Sequence, residues 1–387
     1  MYFLETAIVL LVGAFLLTFF TIPKIIGVVE YKKLMDSPNH RSSHKKVTPT
    51  LGGVAFYYGL ILAIFFLKGQ DMYDEAIYLV PAITILFIIG LKDDLVVLSP
   101  LTKLAAQIIA VSFILASDSF TIHSLHDFLG INEIPYFVYL LIGGFLMITI
   151  INAYNLIDGI DGLAAMVGIV ILTMYTIIFY LSHEYFYSLL CIALTACLSA
   201  FLYYNLSKTK KIFMGDTGSL IVGFMIAMFT LKFLALNPSD YRALPFHLDS
   251  APLVAMGILI VPLFDTARVF TLRIANKKGP FSPDRNHTHH VLVDYLKLSH
   301  RQASCTIAGF NLIFVVILII MGSASSNLWM IIMLLFTCIA LAYLFFRLDY
   351  SIPNLKRKVF FKRKIEGLRH RLHLYPPLAW SGRSKQK

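Results

Sequence analysis

The sequence predicts a polytopic membrane bundle of about eleven α-helices, with the N-terminus outside and the C-terminus in the cytoplasm. Three observations predict it. Of 387 residues, 58% are hydrophobic and only 14% charged, with a mean hydropathy of +0.75; a soluble chain carries about 25% charged residues. Apolar windows long enough to cross a bilayer core of about 30 Å recur along the whole chain. The basic residues gather in alternate connections, which is how membrane proteins encode sidedness.

In order, the windows fall at 5–23, 51–67, 76–91, 103–117, 135–151, 162–181, 187–204, 217–236, 252–270, 305–322 and 327–346. The first has no basic residues before it and no small-residue cleavage site after it, so it reads as a retained span. The segments after odd-numbered spans are 30–50, 92–103, 205–215, 271–304 and the tail from 347; they hold 28 of the 33 Lys and Arg. The segments after even-numbered spans hold only Lys68 and Arg242. This places the odd-exit connections in the cytoplasm and accounts for the +11 net charge without nucleic acid as a partner. Cys191, Cys197, Cys305 and Cys338 all lie inside apolar runs and read as packing residues. No inverted repeat of the transporter kind is visible. The expected division is a transmembrane catalytic domain at 1–346 and a basic cytoplasmic tail at 347–387. Within the tail, NLKRKVFFKRKIEGLRHRLHL suits either a helix lying on an anionic leaflet or a solvated segment.

Four groups of ionisable residues fall on the cytoplasmic side, in the connections 92–103, 152–162, 205–219 and 271–304. GLKDDLVVLSP (90–100) supplies Asp93 and Asp94, and NAYNLIDGIDGLAA (152–165) supplies Asn155, Asp158 and Asp161. FMGDTGS (213–219) supplies Asp216, and PFSPDRNHTHH (280–290) supplies Asp284, Arg285, His287, His289 and His290. If IDGIDGLAA opens span 6, Asp158 and Asp161 sit three apart on one helical face, at a terminus whose dipole favours acids. Gly159 and Gly162 cost helix stability and let another group approach the backbone. Asp93-Asp94 alone would read as solvated helix-end acids, and Asp216 as a turn and cap. Three histidines in four residues, beside Asp284-Arg285, make a poor core and an unlikely plain linker.

Together the acids and Asn155 are hard oxygen donors suited to Mg²⁺ or Mn²⁺. Arg285, the histidines and Lys46 are suited to phosphate. A divalent metal with phosphate-binding groups at the membrane surface implies phosphoryl chemistry on a lipid.

From TPTLGG (48–53) to the end of SPDRNHTHH, these motifs in this order resemble the polyprenyl-phosphate N-acetylhexosamine-1-phosphate transferases. The nearest form is the bacterial one that uses undecaprenyl phosphate and UDP-N-acetylglucosamine to start O-antigen and common antigen in the inner membrane. The resemblance implies that a polyprenyl phosphate oxygen attacks the sugar-bearing phosphorus of a UDP-N-acetylhexosamine and that UMP leaves. It implies that Asp216 and Asn155 hold Mg²⁺ against the diphosphate, and that Asp93 and Asp94 face the lipid phosphate, one of them a candidate to deprotonate it. Asp158 and Asp161 would line the nucleotide-sugar pocket; Arg285, His287, His289 and His290 would contact diphosphate and sugar. Lys46, just before TPTLGG, is a fainter match for a phosphate-contacting lysine. Either a monomer or a homodimer fits.

Two departures are visible. A third acid or a lysine often follows the paired acids in relatives, whereas Leu95-Val96-Val97-Leu98 follows here, leaving no third partner to assign. Thr288 stands where relatives often carry a larger apolar residue, which bears on sugar preference. The base role is doubtful on physical grounds. A phosphate monoester has a second pKa near 6, so the acceptor is mostly a dianion at pH 7, and positioning with charge neutralisation should dominate. A cation-coupled transporter, the rival from another class, needs acids near mid-span. A phosphatidyltransferase would carry its own aspartate helix motif, which is absent. The muramyl-pentapeptide transferase of the same family fits SPDRNHTHH less well.

Overall fold

The computed structural model describes residues 3–32, 35–36, 48–67, 73–275, 277, 287–324, 326–345 and 347. Lys46, Asp284, Arg285 and the basic tail lie outside the described residues. Thirteen helices run through the described residues. They are α1 (Phe3–Lys32), α2 (Gly53–Leu67), α3 (Tyr73–Leu95), α4 (Pro100–Leu115), α5 (Tyr136–Ile157) and α6 (Leu163–Leu181). After these come α7 (Tyr185–Asn205), α8 (Gly215–Leu234), α9 (Ala251–Ile258), α10 (Ile260–Ala275), α11 (Thr288–Tyr295) and α12 (His300–Ala324). The last is α13 (Asn327–Phe345). One two-residue ladder, Met35-Asp36 antiparallel to Thr48-Pro49, departs from the all-α expectation. Contacts divide the chain into Met1–Cys338, which contains every described site residue, and Ile339–Lys387.

Each expected span is helical, though they differ in length. Eight helices among the described residues are long and apolar enough to cross a membrane, or up to nine if α9 and α10 form one span. The shortfall from eleven lies in α2 and α4, with 15 and 16 residues. At 1.5 Å per residue such helices reach only about 24 Å. The expected single span at 252–270 is broken: α9 and α10 meet at 64°. Pro262 has no N–H for the Ile258 carbonyl one turn back, and Asn311 of α12 donates to that carbonyl instead, at 3.4 Å.

The centre of the bundle is α8, buried without interruption from Thr217 to Phe233, as a helix apolar on all sides should be. It packs against α2, α3, α5, α6 and α9. Glycines let the backbones touch: a side chain on Gly53 would overlap Gly218, and a Cβ on Gly90 would lie 2.6 Å from Thr217 Cα. Far from the acid motifs, Lys232 of α8 pairs with Glu184 at 2.6 Å and lies over the Tyr187 ring, so its charge is not left bare in the core. None of the four cysteines is bonded; Cys191 and Cys197 are buried, as packing predicts, while Cys305 is exposed.

Candidate active site

The acid motifs converge at one end of this bundle, around the N-terminus of α8. TPTLGG shapes the floor. Phe213 N–H donates to Pro49 O at 2.8 Å, Gly52 N–H to Phe213 O at 3.0 Å, and Gly53 N–H to Met214 O at 2.9 Å. The chain therefore enters α8 locked against the start of α2.

Asp94, at the end of α3, completes that entry. Its Oδ1 accepts the Asp216 N–H at 2.7 Å, and its Oδ2 accepts the Thr217 N–H at 3.0 Å and the Thr217 hydroxyl. These are orphan donors of the first turn of α8, so Asp94 is a helix cap delivered from another helix. Both its oxygens are bonded to α8, so the lipid-phosphate role implied by the resemblance is a further demand on the same carboxylate. Asp93, its neighbour, points elsewhere: Oδ1 accepts the Leu98 N–H at 2.6 Å and Oδ2 lies 2.7 Å from Lys103 Nζ.

Lys103 is the residue that sequence reasoning missed. Its ammonium also touches Asp216 Oδ2, bridging two acids 123 positions apart that would otherwise repel. The expectation that the paired acids have no third partner is thereby corrected: the lysine comes from the first turn of α4. A lone cation opening an apolar helix was a usable signal, because such a charge needs a partner. On the other side of Asp216, Asn155 of α5 donates to Oδ1 at 2.9 Å and to Ser219 Oγ at 2.7 Å. Asp93, Lys103, Asp216 and Asn155 thus form one constellation carried by four helices.

The DGIDG stretch does not open α6 as a helical face. Asp158 caps the end of α5 with φ −77° and ψ 54°, and α6 starts only at Leu163, after Gly162 at φ 81°. That left-handed conformation strains any residue but glycine, and the Gly162 N–H is held by Asn205 Oδ1 at 2.6 Å. Asp158 and Asp161 therefore lie in a loop and face different partners. Asp161 binds Lys211 at 2.6 Å and His300 at 3.1 Å. Burial alone would raise its carboxyl; the bonds from His300 and Lys211 outweigh this and hold it below the usual range. It ties the loop to α12 and to the entry of α8. Half-buried Asp158 has no such partner. Desolvation, helped by the negative charges of Asp216, Asp94 and Asp161, pushes it up to about 7.

The histidine motif closes the site. His287 Nδ1 lies 2.8 Å from Asp265 Oδ2, and Asp265 Oδ1 accepts the Thr288 N–H at 2.7 Å and the Thr288 hydroxyl. Thr288 thus fastens α11 to α10, and its side chain is committed to Asp265. Asp265, 3% exposed, is a second residue missed, a mid-span acid in a region read as nearly free of them. His289, 1% exposed, lies against Gly159, where any side chain would overlap its ring. This is the close approach that the DGIDG glycines were expected to permit. Both His289 nitrogens lack a hydrogen-bond partner, and desolvation drops its pKa to about 3, so the ring is neutral. His290 sits beside it, 4.4 Å between ring centres.

Among the described residues no three or more His, Cys, Asp or Glu side chains form a metal cage. The donors that do converge are two carboxylates and one amide. That set suits Mg²⁺, which takes one or two protein carboxylates and fills its shell with water and phosphate oxygens. The amide oxygen and nitrogen of Asn155 exchange by a flip.

Residues 76–234, from α3 to the end of α8, match the model of glycosyl transferase family 4. A Bacillus subtilis (strain 168) protein described as a probable undecaprenyl-phosphate N-acetylglucosaminyl 1-phosphate transferase is 31% identical over 350 residues, 87% of this chain and 91% of its own. Undecaprenyl-phosphate alpha-N-acetylglucosaminyl 1-phosphate transferases of Yersinia pestis and Escherichia coli (strain K12) are 30% and 28% identical. Each of those alignments covers 67% of this chain and 69% of the relative.

Proposed function

We propose that this multi-pass membrane chain, which belongs to the polyprenyl-phosphate N-acetylhexosamine-1-phosphate transferase family and is a sugar-phosphate transferase, moves N-acetylglucosamine-1-phosphate from UDP-N-acetylglucosamine to undecaprenyl phosphate. UMP is released, and the lipid-linked product starts a cell-envelope polysaccharide. The enzyme sits in the bacterial inner membrane with its site facing the cytoplasm. The observation that carries the reading is the Asp93–Lys103–Asp216–Asn155 constellation at the ends of four helices, where a lipid phosphate and a soluble nucleotide can meet.

In this reading a P–O bond forms from the acceptor phosphate to the sugar-bearing phosphorus, and the bond from that phosphorus to the UMP oxygen breaks. Asp216, Asn155 and Asp93 would hold Mg²⁺ or Mn²⁺, which would supply charge neutralisation for the diphosphate. The chain's own residues do the positioning. Asp94 fixes the first turn of α8 and with it Asp216. Lys103 keeps the two acids side by side and brings positive charge to two approaching anions. Asp265 accepts the Nδ1 proton of His287, which leaves Nε2 as the nitrogen for substrate. Neutral His289 and half-buried Asp158 line the sugar side of the site.

Purified enzyme given undecaprenyl phosphate and a panel of UDP-sugars should release UMP fastest with UDP-N-acetylglucosamine and stop on chelation of divalent ions. UMP release with none of the UDP-N-acetylhexosamines would overturn the reading.

A further inference from the structure

Between α3 and α4 the chain reverses in four residues, Val96 to Ser99. The side chains around this turn are apolar and uncovered: Val97 is 91% exposed, Leu101 77% and Val96 64%. A water-facing turn would be built from polar residues and glycine. This one continues an apolar surface already exposed along both helices, through Ile77 and Ile88 on α3 and Ile108 and Ile109 on α4. On α3 that surface belongs to a membrane-spanning helix.

Several of the turn's polar groups are bonded within the protein. The Val96 N–H donates to Lys92 O at 2.7 Å and the Leu98 N–H to Asp93 Oδ1 at 2.6 Å. The Ser99 hydroxyl pairs with the Thr102 hydroxyl at 2.8 Å and caps α4. Each such bond lowers the cost of leaving water, and the remaining groups can meet the hydrated headgroup layer. One helical turn before Val96, exposed Lys92 is placed for anionic headgroups while its stem lies on the apolar face.

We propose that the α3–α4 turn is inserted at the headgroup–acyl boundary of the surrounding leaflet, with phospholipid as its occupant, and that this insertion sets the depth of Asp93. The coupling is covalent and hydrogen-bonded. Asp93 Oδ1 is bonded to Leu98 in the turn, and Asp93 Oδ2 to Lys103 one turn into α4. The acceptor's phosphate is fixed at the same depth by its own chain, so the turn aligns the acid and lysine with it. That second half rests on the proposed function; the insertion itself does not.

In a background lacking Cys305 and Cys338, a nitroxide at Val97→Cys in lipid nanodiscs should be relaxed more by oxygen than by a water-soluble nickel chelate. A nitroxide at Lys208→Cys, on an exposed loop of the same face, should show the reverse. Water-like access at position 97 overturns insertion. Independently, Val97→Asp in nanodiscs should raise the acceptor KM about tenfold and leave the UDP-sugar KM and thermal unfolding in place. An unchanged acceptor KM with an inserted label overturns the depth-setting role. A defect of equal size in detergent, growing with acceptor chain length, overturns the bilayer as occupant and assigns the turn to the acceptor's chain.

Discussion

Asp216 is the residue on which the others converge, touched by Lys103, Asn155 and, through its N–H, Asp94. Asp216→Asn keeps its shape and removes one charge, so turnover should fall about 10²-fold or more, the scale of several kcal/mol of lost charge stabilisation. UMP release by folded protein checks it; near-normal rates at saturating Mg²⁺ would leave Asp216 as part of the helix start only. Asp93 is bonded to Leu98 and Lys103, which suits a positioning role, and the acceptor is already mostly a dianion at pH 7. Asp93→Asn should therefore lose a similar factor at every pH from 6 to 9. Recovery by more than about tenfold, or roughly 1.4 kcal/mol, as the pH rises would restore the base role, because an ionised acceptor no longer needs one. Asp158 gives a pH effect of defined sign. Its folded pKa of about 7 lies above the ordinary carboxyl value of 3.8, so between these values the folded chain holds a proton that the unfolded chain has lost. Stability contributed by this group is present at low pH and falls away as pH rises toward 7. Asp158→Asn should accordingly raise the melting temperature in detergent at pH 8 and much less at pH 5. Equal shifts at both pH values would show that Asp158 is paired in a way its surroundings do not suggest.

Elements explain which parts of the site could be read from the chain. Apolar windows marked every span because a helix in lipid must satisfy its own backbone and cover it with apolar side chains. They could not mark the break at Leu259, which depends on Pro262 and on an amide from Asn311, 53 positions from the Ile258 carbonyl it meets. The motif acids were visible as charges at span ends. Their partners were not: Lys103, Asp265 and Asn205 gain meaning only from contacts across many residues. The DGIDG loop misled for a local reason, since two acids three apart fit a helix face until Gly162 adopts φ 81°. Adjacent Asp93 and Asp94 looked equivalent, yet successive residues at a helix end point about 100° apart, and one serves the chemistry while the other serves α8. That division is testable. Asp94→Ala removes the acceptor for the Asp216 and Thr217 N–H groups and should destabilise the protein by about 2 kcal/mol, as lost caps and charge-assisted bonds do. Asp93→Ala removes one backbone acceptor and the Lys103 pair and should cost less than Asp94→Ala. Thermal unfolding of both variants separates them, and equal stability would remove the cap.

At the scale of the whole molecule, the constellation requires that the ends of α3, α5 and α7 and the starts of α4, α6, α8 and α12 lie on one side of the membrane. The contacts among Asp93, Lys103, Asn155, Asp161, Lys211, Asp216 and His300 require it. The basic residues choose which side that is, since 28 of 33 Lys and Arg follow the odd-numbered spans expected from the sequence. Translocating such segments is unfavourable, whereas acidic residues hardly bias orientation. The proposed function makes the same choice, since there the nucleotide sugar reaches the site from the cytoplasm. In a background without exposed Cys305, Lys208→Cys should react with a membrane-impermeant thiol reagent only after cells are opened. Ser239→Cys, on the opposite connection between α8 and α9, should react in intact cells whose outer layers admit the reagent. The reverse pattern would put the site on the wrong side of its nucleotide substrate, and the transfer reaction with its acceptor and donor would have to be abandoned together with the orientation.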